Sequence, residues 1–380
     1  MAVTIRSRPA RSHLQYLFIG ATLLAAFAAV LPIAAAIVTG AGLQGAAKSA
    51  FATAPSGNYA VVSRPEDDYD VVAVVPAGGG EPVEIARVPH LPGFTANGSV
   101  SPNGRQLALV TVDGGTPTRP EASLLVLDLE SGLTKHLLHG VGALQTALWA
   151  ADGRSLVVTR EIDAGRVRPD VRFLRVSVSD GAAAELFDVP APLGAYAAGF
   201  DPTGGLLTVT IDGSGSHLLR DGAPVGLLSA QITRDWRLSL DGTRIAFIEA
   251  NVENGLRYLA RTKNVDGSEV REVQSQGIGA GGQQLGAAWK PGETSPTFGR
   301  EPLSASRSTE IGETQAQSQS LPASGFDVPL EYAPDGSALG VTHWTGSSFS
   351  QPGTPTLQLL AGSARVEVLN FSRFHGWATR

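Results

Sequence analysis

The amino-acid sequence predicts an all-β fold assembled from repeated units, and three observations support this prediction. Glycine and proline are frequent, with 45 and 24 copies, and neither follows a collagen-like period, so tight turns between strands are their expected use. Short turns that end in glycine recur along the chain, and an apolar, strand-like segment follows each of them. The third observation is a length of 380 residues, which is enough to bury a large core in one all-β domain.

The N-terminal segment predicts a single transmembrane helix. Residues 14–47 contain no charged side chain, and their most apolar part, residues 14–38, exceeds the roughly 20 residues that a helix needs to span a bilayer. Only Lys48 follows closely, whereas three arginines precede the apolar stretch: Arg6, Arg8 and Arg11. Because basic residues favour the cytoplasmic side, we expect residues 1–13 to form a cytoplasmic arm and the rest of the chain to be exported.

A cleaved signal peptide is the alternative for this segment. Its apolar stretch usually has only about 7–15 residues before a cleavage site of small residues, which alanines at 34–36 or 46–47 could supply. Residues 39–52 are predicted to be a linker. With an uncleaved anchor, the protein is a single-pass protein of the cell membrane, and residues 53–380 lie on the extracytoplasmic side.

The part of the chain beyond the anchor is acidic, and this excludes one class of partner. The sequence has 29 basic and 35 acidic residues, and its first 50 residues hold four of the basic ones and none of the acidic ones. A body with this balance repels a phosphate backbone, so no nucleic-acid partner is expected. The lack of cysteine excludes disulfides, thiolate metal sites and a cysteine nucleophile.

The body of the chain contains a repeat of about 45 residues. Each copy has an apolar or aromatic residue, then a small residue or proline, a turn that ends in glycine, and an apolar strand. In such turns proline sets the first corner, and glycine accepts the positive φ of the other. Five copies are clear: SVSPNGRQLALVTV from Ser99, LWAADGRSLVVTR from Leu148, GFDPTGGLLTVTI from Gly199, RLSLDGTRIAFIEA from Arg237 and EYAPDGSALGVTHW from Glu331. Two weaker copies are TAPSGNYAVVS from Thr53 and AWKPGETSPTF from Ala288.

A unit of this length holds four short strands, which form one blade of a β-propeller. The sequence therefore predicts a propeller of six or seven blades over residues 53–380. The copy nearest the N-terminus, from Thr53, begins at its turn and lacks a preceding strand. The chain finishes with a strand-like segment, residues 373–378. We expect this last segment to complete the first blade and close the ring, because closure removes the open sheet edges.

Four aromatic residues at the repeat's apolar position are predicted to pack in the core: Trp149, Phe200, Trp289 and Tyr332.

The SPNG, APDG, AADG and SLDG turns, each followed by an apolar strand, resemble the TolB-like propeller repeat. The resemblance covers most of residues 53–380. It implies the fold more than the function, since the repeat occurs in the periplasmic Tol-Pal translocation component, in many surface proteins and in the propellers of prolyl-oligopeptidase-like hydrolases.

Residues 293–325 interrupt the pattern. They are poor in aliphatic residues and rich in Ser, Thr, Gln and Pro, a composition that cannot bury enough apolar surface to become ordered. Two interpretations remain, namely a disordered insertion, which we prefer, or the replacement of most of one blade.

No motif in the sequence predicts catalysis. A serine hydrolase of the related class needs a G-x-S-x-G elbow on an α/β domain, and no such motif is present. The segment Gly213–His217 places a serine beside a histidine but lies in a polar turn. The acidic run Glu66–Asp70 lacks the spacing of a calcium loop and is expected to be a solvated connection.

The seven histidines do not predict a metal site either. Only His136 and His139 are close in sequence, and a spacing of three puts them on opposite faces of a regular strand. His343 and His375, each near a tryptophan, are expected to be hydrogen-bonded core or edge residues. We therefore assign no catalytic, cofactor-binding or metal-binding residue and expect no enzyme activity and no cofactor.

Taken together, these features predict a membrane-anchored, extracytoplasmic propeller that acts as an interaction scaffold of the cell envelope. Its partners are the membrane, through residues 14–38, and a protein or peptide bound on a propeller face, where loops from many blades meet. The alternative is a carbohydrate-binding or hydrolytic propeller whose site is assembled in the channel mouth from scattered residues.

The predicted topology can be tested with reporter fusions at the C-terminus of the full chain. We expect activity from a reporter that works only outside the cytoplasm, because Arg6, Arg8 and Arg11 hold the N-terminus inside. Activity of a cytosol-only reporter at the same position would contradict the topology.

Overall fold

The computed structural model describes residues 50–163, 165, 167–252, 256–272, 283–300 and 324–380. The chain divides into two compact units, residues 1–45 and 46–380. All the described residues belong to the second unit. Within the described ranges, no helix is long and apolar enough to cross a membrane. The predicted cytoplasmic arm, the predicted anchor and most of the predicted linker lie outside those ranges.

The described residues form 26 β-strands and a short 3₁₀ helix, Ala50–Thr53. The first three blades contain strands β1 (Asn58–Pro65), β2 (Tyr69–Pro76), β3 (Val83–Pro89), β4 (Asn97–Val100), β5 (Gln106–Thr116), β6 (Arg119–Asp128), β7 (Thr134–Val141), β8 (Leu148–Trp149), β9 (Ser155–Ile162), β10 (Asp170–Ser177) and β11 (Ala183–Val189). The chain continues with β12 (Gly194–Phe200), β13 (Leu206–Asp212), β14 (Gly215–Arg220), β15 (Ala223–Ser229), β16 (Ile232–Leu238), β17 (Arg244–Asn251), β18 (Arg257–Asn264), β19 (Val270–Glu272), β20 (Gln284–Ala288), β21 (Thr297–Arg300), β22 (Phe326–Tyr332), β23 (Ala338–Trp344), β24 (Pro355–Ala361), β25 (Ala364–Glu367) and β26 (Arg373–Thr379).

These strands form six complete blades of four antiparallel strands each, as the repeat predicts. Blade 1 contains β26 and β1–β3; blades 2 to 5 contain β4–β7, β8–β11, β12–β15 and β16–β19; blade 6 contains β22–β25. The first strand of each blade is innermost, and consecutive innermost strands contact one another around the ring, except that β20 lies between those of blades 5 and 6. The β-propeller prediction is therefore confirmed.

A two-stranded sheet, β20 and β21, lies between blades 5 and 6 and contacts both. It is formed by the weak repeat copy that begins at Ala288, and the side chains of Thr297–Arg300 are buried. The predicted insertion at residues 293–325 is therefore wrong for these four residues, because Phe298 packs in the core with Trp289. Residues 301–323 lie outside the described ranges.

The glycine turns have the predicted geometry. In five copies, the glycine N–H donates to the carbonyl three residues earlier, and the glycine φ lies between 66° and 85°. At Gly104 this turn also packs against the end of β26, where a Cβ would lie 2.6 Å from the Thr379 nitrogen. Glycine at 104 therefore serves both the turn and the junction of blades 1 and 2.

Three tryptophans connect neighbouring sheets by the same hydrogen bond. The indole N–H of Trp149 donates to the Ser99 carbonyl at 2.9 Å, from blade 3 back to the innermost strand of blade 2. Two equivalent bonds join Trp289 to Arg237 and Trp377 to Glu331, at 2.9 and 3.1 Å. Each indole is thus buried with its polar atom paired, which is the favourable way to bury tryptophan.

The predicted core positions are largely confirmed. Trp149, Trp289 and Tyr332 are buried, whereas Phe200 is only half-buried and packs at the margin of the core shared by blades 3 and 4.

Strand β26 closes the ring by pairing with β1, as the sequence predicts. The register runs from Asn58 opposite Thr379 to Ser63 opposite Arg373. At the open end of this pair, Gly57 and Arg380 exchange two backbone hydrogen bonds, each of 3.0 Å. The two ends of the propeller are thus joined without a covalent bond.

Replacing Trp149 with alanine should lower the free energy of unfolding by roughly 3–5 kcal/mol, because a large buried side chain leaves a cavity. Replacing it with phenylalanine should cost less, since the ring remains and mainly the bond to the Ser99 carbonyl is lost. Urea melts of residues 46–380 provide the measurement. A loss below about 1 kcal/mol for the alanine variant would mean that the indole contributes little to the core.

Deleting residues 372–380 should abolish cooperative unfolding or cause aggregation, because β1 becomes an open edge. Deleting residues 303–320, which lie within the predicted insertion, should have little effect, since the free-energy cost of closing a loop changes slowly with its length. Thermal melting of both variants tests this expectation. A harmless C-terminal deletion combined with an unfolded internal deletion would refute the closure model.

Candidate functional site

The two faces of the propeller differ in their loops. At one face, the innermost strands end and short glycine turns connect them to the next strands. At the other, which we call the loop face, the innermost strands begin, and the longer connections between strands are found there. Examples are residues 90–96, 142–147 and 345–354, so the loop face presents most of the irregular backbone, where binding sites usually lie.

An aromatic pair lies on two adjacent innermost strands, β12 and β16. The rings of Tyr196 in β12 and Trp236 in β16 have centroids 4.9 Å apart and an interplanar angle of 31°. Both side chains are half-buried. Glycine at 194 leaves room for the tyrosine, because a Cβ there would lie 2.7 Å from a ring carbon.

A β-bulge orients this tryptophan. The register of β16 against β17 shifts between Arg234 and Arg237, and Asp235 has a left-handed φ of 54°. Bulges re-aim side chains in this way. The indole N–H donates to the Thr233 hydroxyl at 2.8 Å, which fixes the ring.

A second group extends the pair. The guanidinium of exposed Arg234 lies 5.8 Å from the centroid of the Tyr258 ring, a cation–π contact. Phe349, from the loop between β23 and β24, contacts the same tyrosine edge-on at 5.0 Å. This loop belongs to blade 6, so it bridges over the two-stranded sheet to reach blade 5. We call these five residues the aromatic surface: Tyr196, Arg234, Trp236, Tyr258 and Phe349.

The inner wall of the ring carries a carboxylate and a guanidinium. Burial among the inner strands raises the pKa of Glu331 to about 7, and Arg237 of blade 5 acts in the opposite direction. Glu331 is nevertheless exposed to solvent, so water in the channel weakens the effect of burial.

The two histidines near tryptophans are structural, as predicted. His343 contacts Asp327 through Nδ1 at 2.9 Å, and Arg365 donates to both oxygens of the same carboxylate. His375 contacts the Ser63 hydroxyl through Nε2 at 2.9 Å. Burial and, to a smaller extent, the nearby Arg373 guanidinium together lower the pKa of His375 to about 4.

The acidic run at residues 66–70 is only partly the solvated connection that was predicted. Glu66, Asp67 and Asp68 are exposed, but Asp70 is fully buried in β2. Its carboxylate accepts the Ala96 N–H at 2.6 Å and lies 3.5 Å from the His90 ring. Asp70 therefore fixes the connection between blades 1 and 2, residues 90–96, to β2. A run of acidic residues in the sequence does not reveal this role.

The serine–histidine pair in residues 213–217 does not form a catalytic relay. The Ser214 hydroxyl donates to Asp212 at 2.7 Å and contacts His217 Nε2 at 2.9 Å, while the same Nε2 lies 3.3 Å from that Asp212 oxygen. A relay needs the carboxylate on the other imidazole nitrogen. These contacts instead stabilise the tight turn between β13 and β14.

The predicted separation of His136 and His139 is wrong. Leu137 forms a β-bulge, because Leu124 pairs with Leu138 while Leu125 pairs with His136. The extra residue brings both imidazoles to one face, with ring centroids 3.9 Å apart. Burial and the neighbouring His139 ring lower the pKa of His136, against the effect of Asp113.

The aromatic surface was missed from the sequence. Its residues stand outside the repeat's apolar position; Trp236, for example, lies two places before Leu238. An aromatic residue that lies within an innermost strand but outside the repeat's apolar position is the signal that could have identified it.

The sequence matches no protein-family model and no curated protein. Solved structures do show similarity to the fold. TolB from Acinetobacter baumannii aligns with a TM-score of 0.50 at 12% identity, over 85% of this chain and 66% of that one, so this chain spans about two thirds of its length. The periplasmic gluconolactonase PpgL of Pseudomonas aeruginosa aligns with a TM-score of 0.52 at 16% identity, over 85% and 100%.

An oligogalacturonate lyase in complex with manganese aligns with a TM-score of 0.51 at 14% identity, over 77% of this chain and 82% of that chain. At these identities the similarities concern the fold alone. The TolB-like propeller fold that the turns predict is thereby confirmed.

The buried His375 predicts acid sensitivity. Its folded-state pKa of about 4 lies below the ordinary value of about 6.5, so the unfolded chain takes up the proton first, and stability falls as pH drops between these values. The full shift corresponds to roughly 3 kcal/mol. Unfolding free energies from about pH 7 to about pH 4 should fall less in His375→Asn than in the wild type, whereas the His217→Asn control should match the wild type. Equal losses in all three proteins would show that His375 is not the source.

Proposed function

We propose that this protein is a membrane-anchored binding protein of the cell envelope, which holds a protein or peptide partner against the aromatic surface of its loop face. The anchor is residues 14–38, and the propeller lies on the extracytoplasmic side. The single observation that supports the binding site best is the pair of contacts made by two residues of β16, in which Trp236 packs against Tyr196 and Arg234 lies over Tyr258.

The residue types suit a protein partner. Tryptophan, tyrosine and arginine dominate the binding energy of protein interfaces, because their large rigid side chains bury much area for little loss of conformational freedom. Trp236 and Tyr196 are only half-buried, so part of each ring remains for a ligand. The hydrogen bond from Trp236 to Thr233 holds the ring in place, and such preorganisation lowers the ordering cost of binding.

A carbohydrate-binding or hydrolytic propeller is the second candidate, and one observation favours it. Glu331 lies in the channel with a pKa raised to about 7, which suits a general acid or base. Two of the proteins with a similar fold are a gluconolactonase and an oligogalacturonate lyase. The protein-binding proposal is preferred because the side chains of the aromatic surface are aromatic and cationic rather than paired carboxylates.

Site-specific photo-crosslinking tests the proposal in living cells. A benzoylphenylalanine at position 234 places the probe on the aromatic surface, and one at position 240 places it on an exposed glycine turn of the opposite face. We expect a discrete protein adduct from position 234 only. Trp236→Ala should reduce the adduct from position 234 by roughly tenfold, as for a central interface residue.

Enzyme assays separate the alternative from the proposal. Turnover of a gluconolactone or an oligogalacturonate that is lost in Glu331→Gln would favour the hydrolytic or lyase function. Adducts that form equally from positions 234 and 240, or that are unchanged by Trp236→Ala, would refute the protein-binding site.

A further inference from the structure

Blade 2 collects three metal-ligating side chains on its second and fourth strands, β5 and β7. Asp113, His136 and His139 are exposed, and each offers a ligand atom that lies within 4.8 Å of those of the other two. Of the residues that the structure describes, these are the only such group. None of them belongs to the aromatic surface or to the channel.

Three β-bulges produce this arrangement. Asp113 is the unpaired residue where β5 shifts register against β6, since Val112 pairs with Ala122 and Gly114 with Glu121. In β7, Leu137 and Gly140 are unpaired on either side of the pair that His139 makes with Ser123. Bulges are over-represented at functional sites, where they re-aim side chains.

A buried hydroxyl orients two of the three ligands. Ser123 in β6 is fully buried, and its Oγ donates to Asp113 Oδ2 at 2.5 Å and contacts His139 Nδ1 at 2.7 Å. His139 Nδ1 and Asp113 Oδ2 lie 3.9 Å apart. Because the hydroxyl proton goes to the carboxylate, His139 Nδ1–H is the donor in the second contact, and His139 Nε2 is left to bind an ion. Such outer-shell hydrogen bonds are what hold metal ligands in position in known sites.

The donor set indicates the class of ion. Two imidazoles and one carboxylate suit zinc and the neighbouring transition metals, whereas magnesium and calcium prefer oxygen ligands alone. With bond lengths near 2.0–2.1 Å, the donors of a tetrahedral site lie about 3.3 Å apart. Exposed side chains can close the remaining distance by rotation, because His139 is 76% exposed.

We propose that Asp113, His136 and His139 form a binding site for a divalent transition-metal ion, with zinc as the representative. Three protein ligands leave a fourth coordination position for water or for a group from another molecule. The ion links β5 to β7 across β6, and so it joins the second strand of blade 2 to its outermost strand. The site is independent of the proposed protein-binding surface.

Metal titration of the full chain in detergent tests this site. The protein is purified without a histidine tag and freed of metal by EDTA, and zinc alone is added in a calorimeter. We expect one zinc per chain with a dissociation constant on the order of micromolar, and His136→Asn and His139→Asn should each weaken binding by at least roughly tenfold. Cobalt as the probe should give visible absorption bands that the same variants lose.

Two further variants complete the test. Ser123→Ala keeps all three ligands and removes only the orienting hydroxyl, so it should weaken binding by roughly tenfold. His217→Asn is the matched control, because this half-buried histidine also contacts an aspartate and a serine. Within the described ranges no second histidine lies beside it, so the variant should bind zinc as the wild type does. Absence of saturable zinc binding, or equal loss in the control and in the ligand variants, would overturn the proposal.

Discussion

The pairing of β26 with β1 is the interaction on which the ring depends. It joins residues more than 300 positions apart, and closing a flexible loop of that length costs about 5 kcal/mol of chain entropy. Buried Trp377 and Ala378 on β26 and the backbone pairs of the register offset that cost. Because consecutive innermost strands contact one another, an unclosed ring would expose the flanks of blades 1 and 6 together.

The repeated architecture could be predicted from the sequence because its signals are local. A turn needs a glycine with positive φ, and a half-buried strand needs apolar residues that alternate or run together. Both requirements recur in each copy, so the blades and the closing strand follow from counting turns. The two-stranded sheet was harder to recognise, since Thr297–Arg300 stand alone in a polar stretch and are buried only through contacts with neighbouring sheets.

The side-chain clusters could not be predicted, and the reason is strand register. Alternation assigns each residue to a face, and one bulged residue reverses every later assignment. The bulge at Leu137 reverses the relation of His136 to His139, and the bulge in β16 sets the direction of Trp236. Asp70 shows a related limit, because its burial depends on Ala96 and His90, which are distant along the chain.

The non-covalent join between Gly57 and Arg380 has a mechanical consequence. Both residues lie at the same end of the β1–β26 pair, so a force that pulls the two chain ends apart opens the strands like a zipper, one hydrogen-bonded pair at a time. A force that pulls Gly57 against a ligand on the loop face instead runs along β1 and loads its hydrogen bonds in shear. The propeller therefore resists tension toward a bound partner better than tension between its own ends.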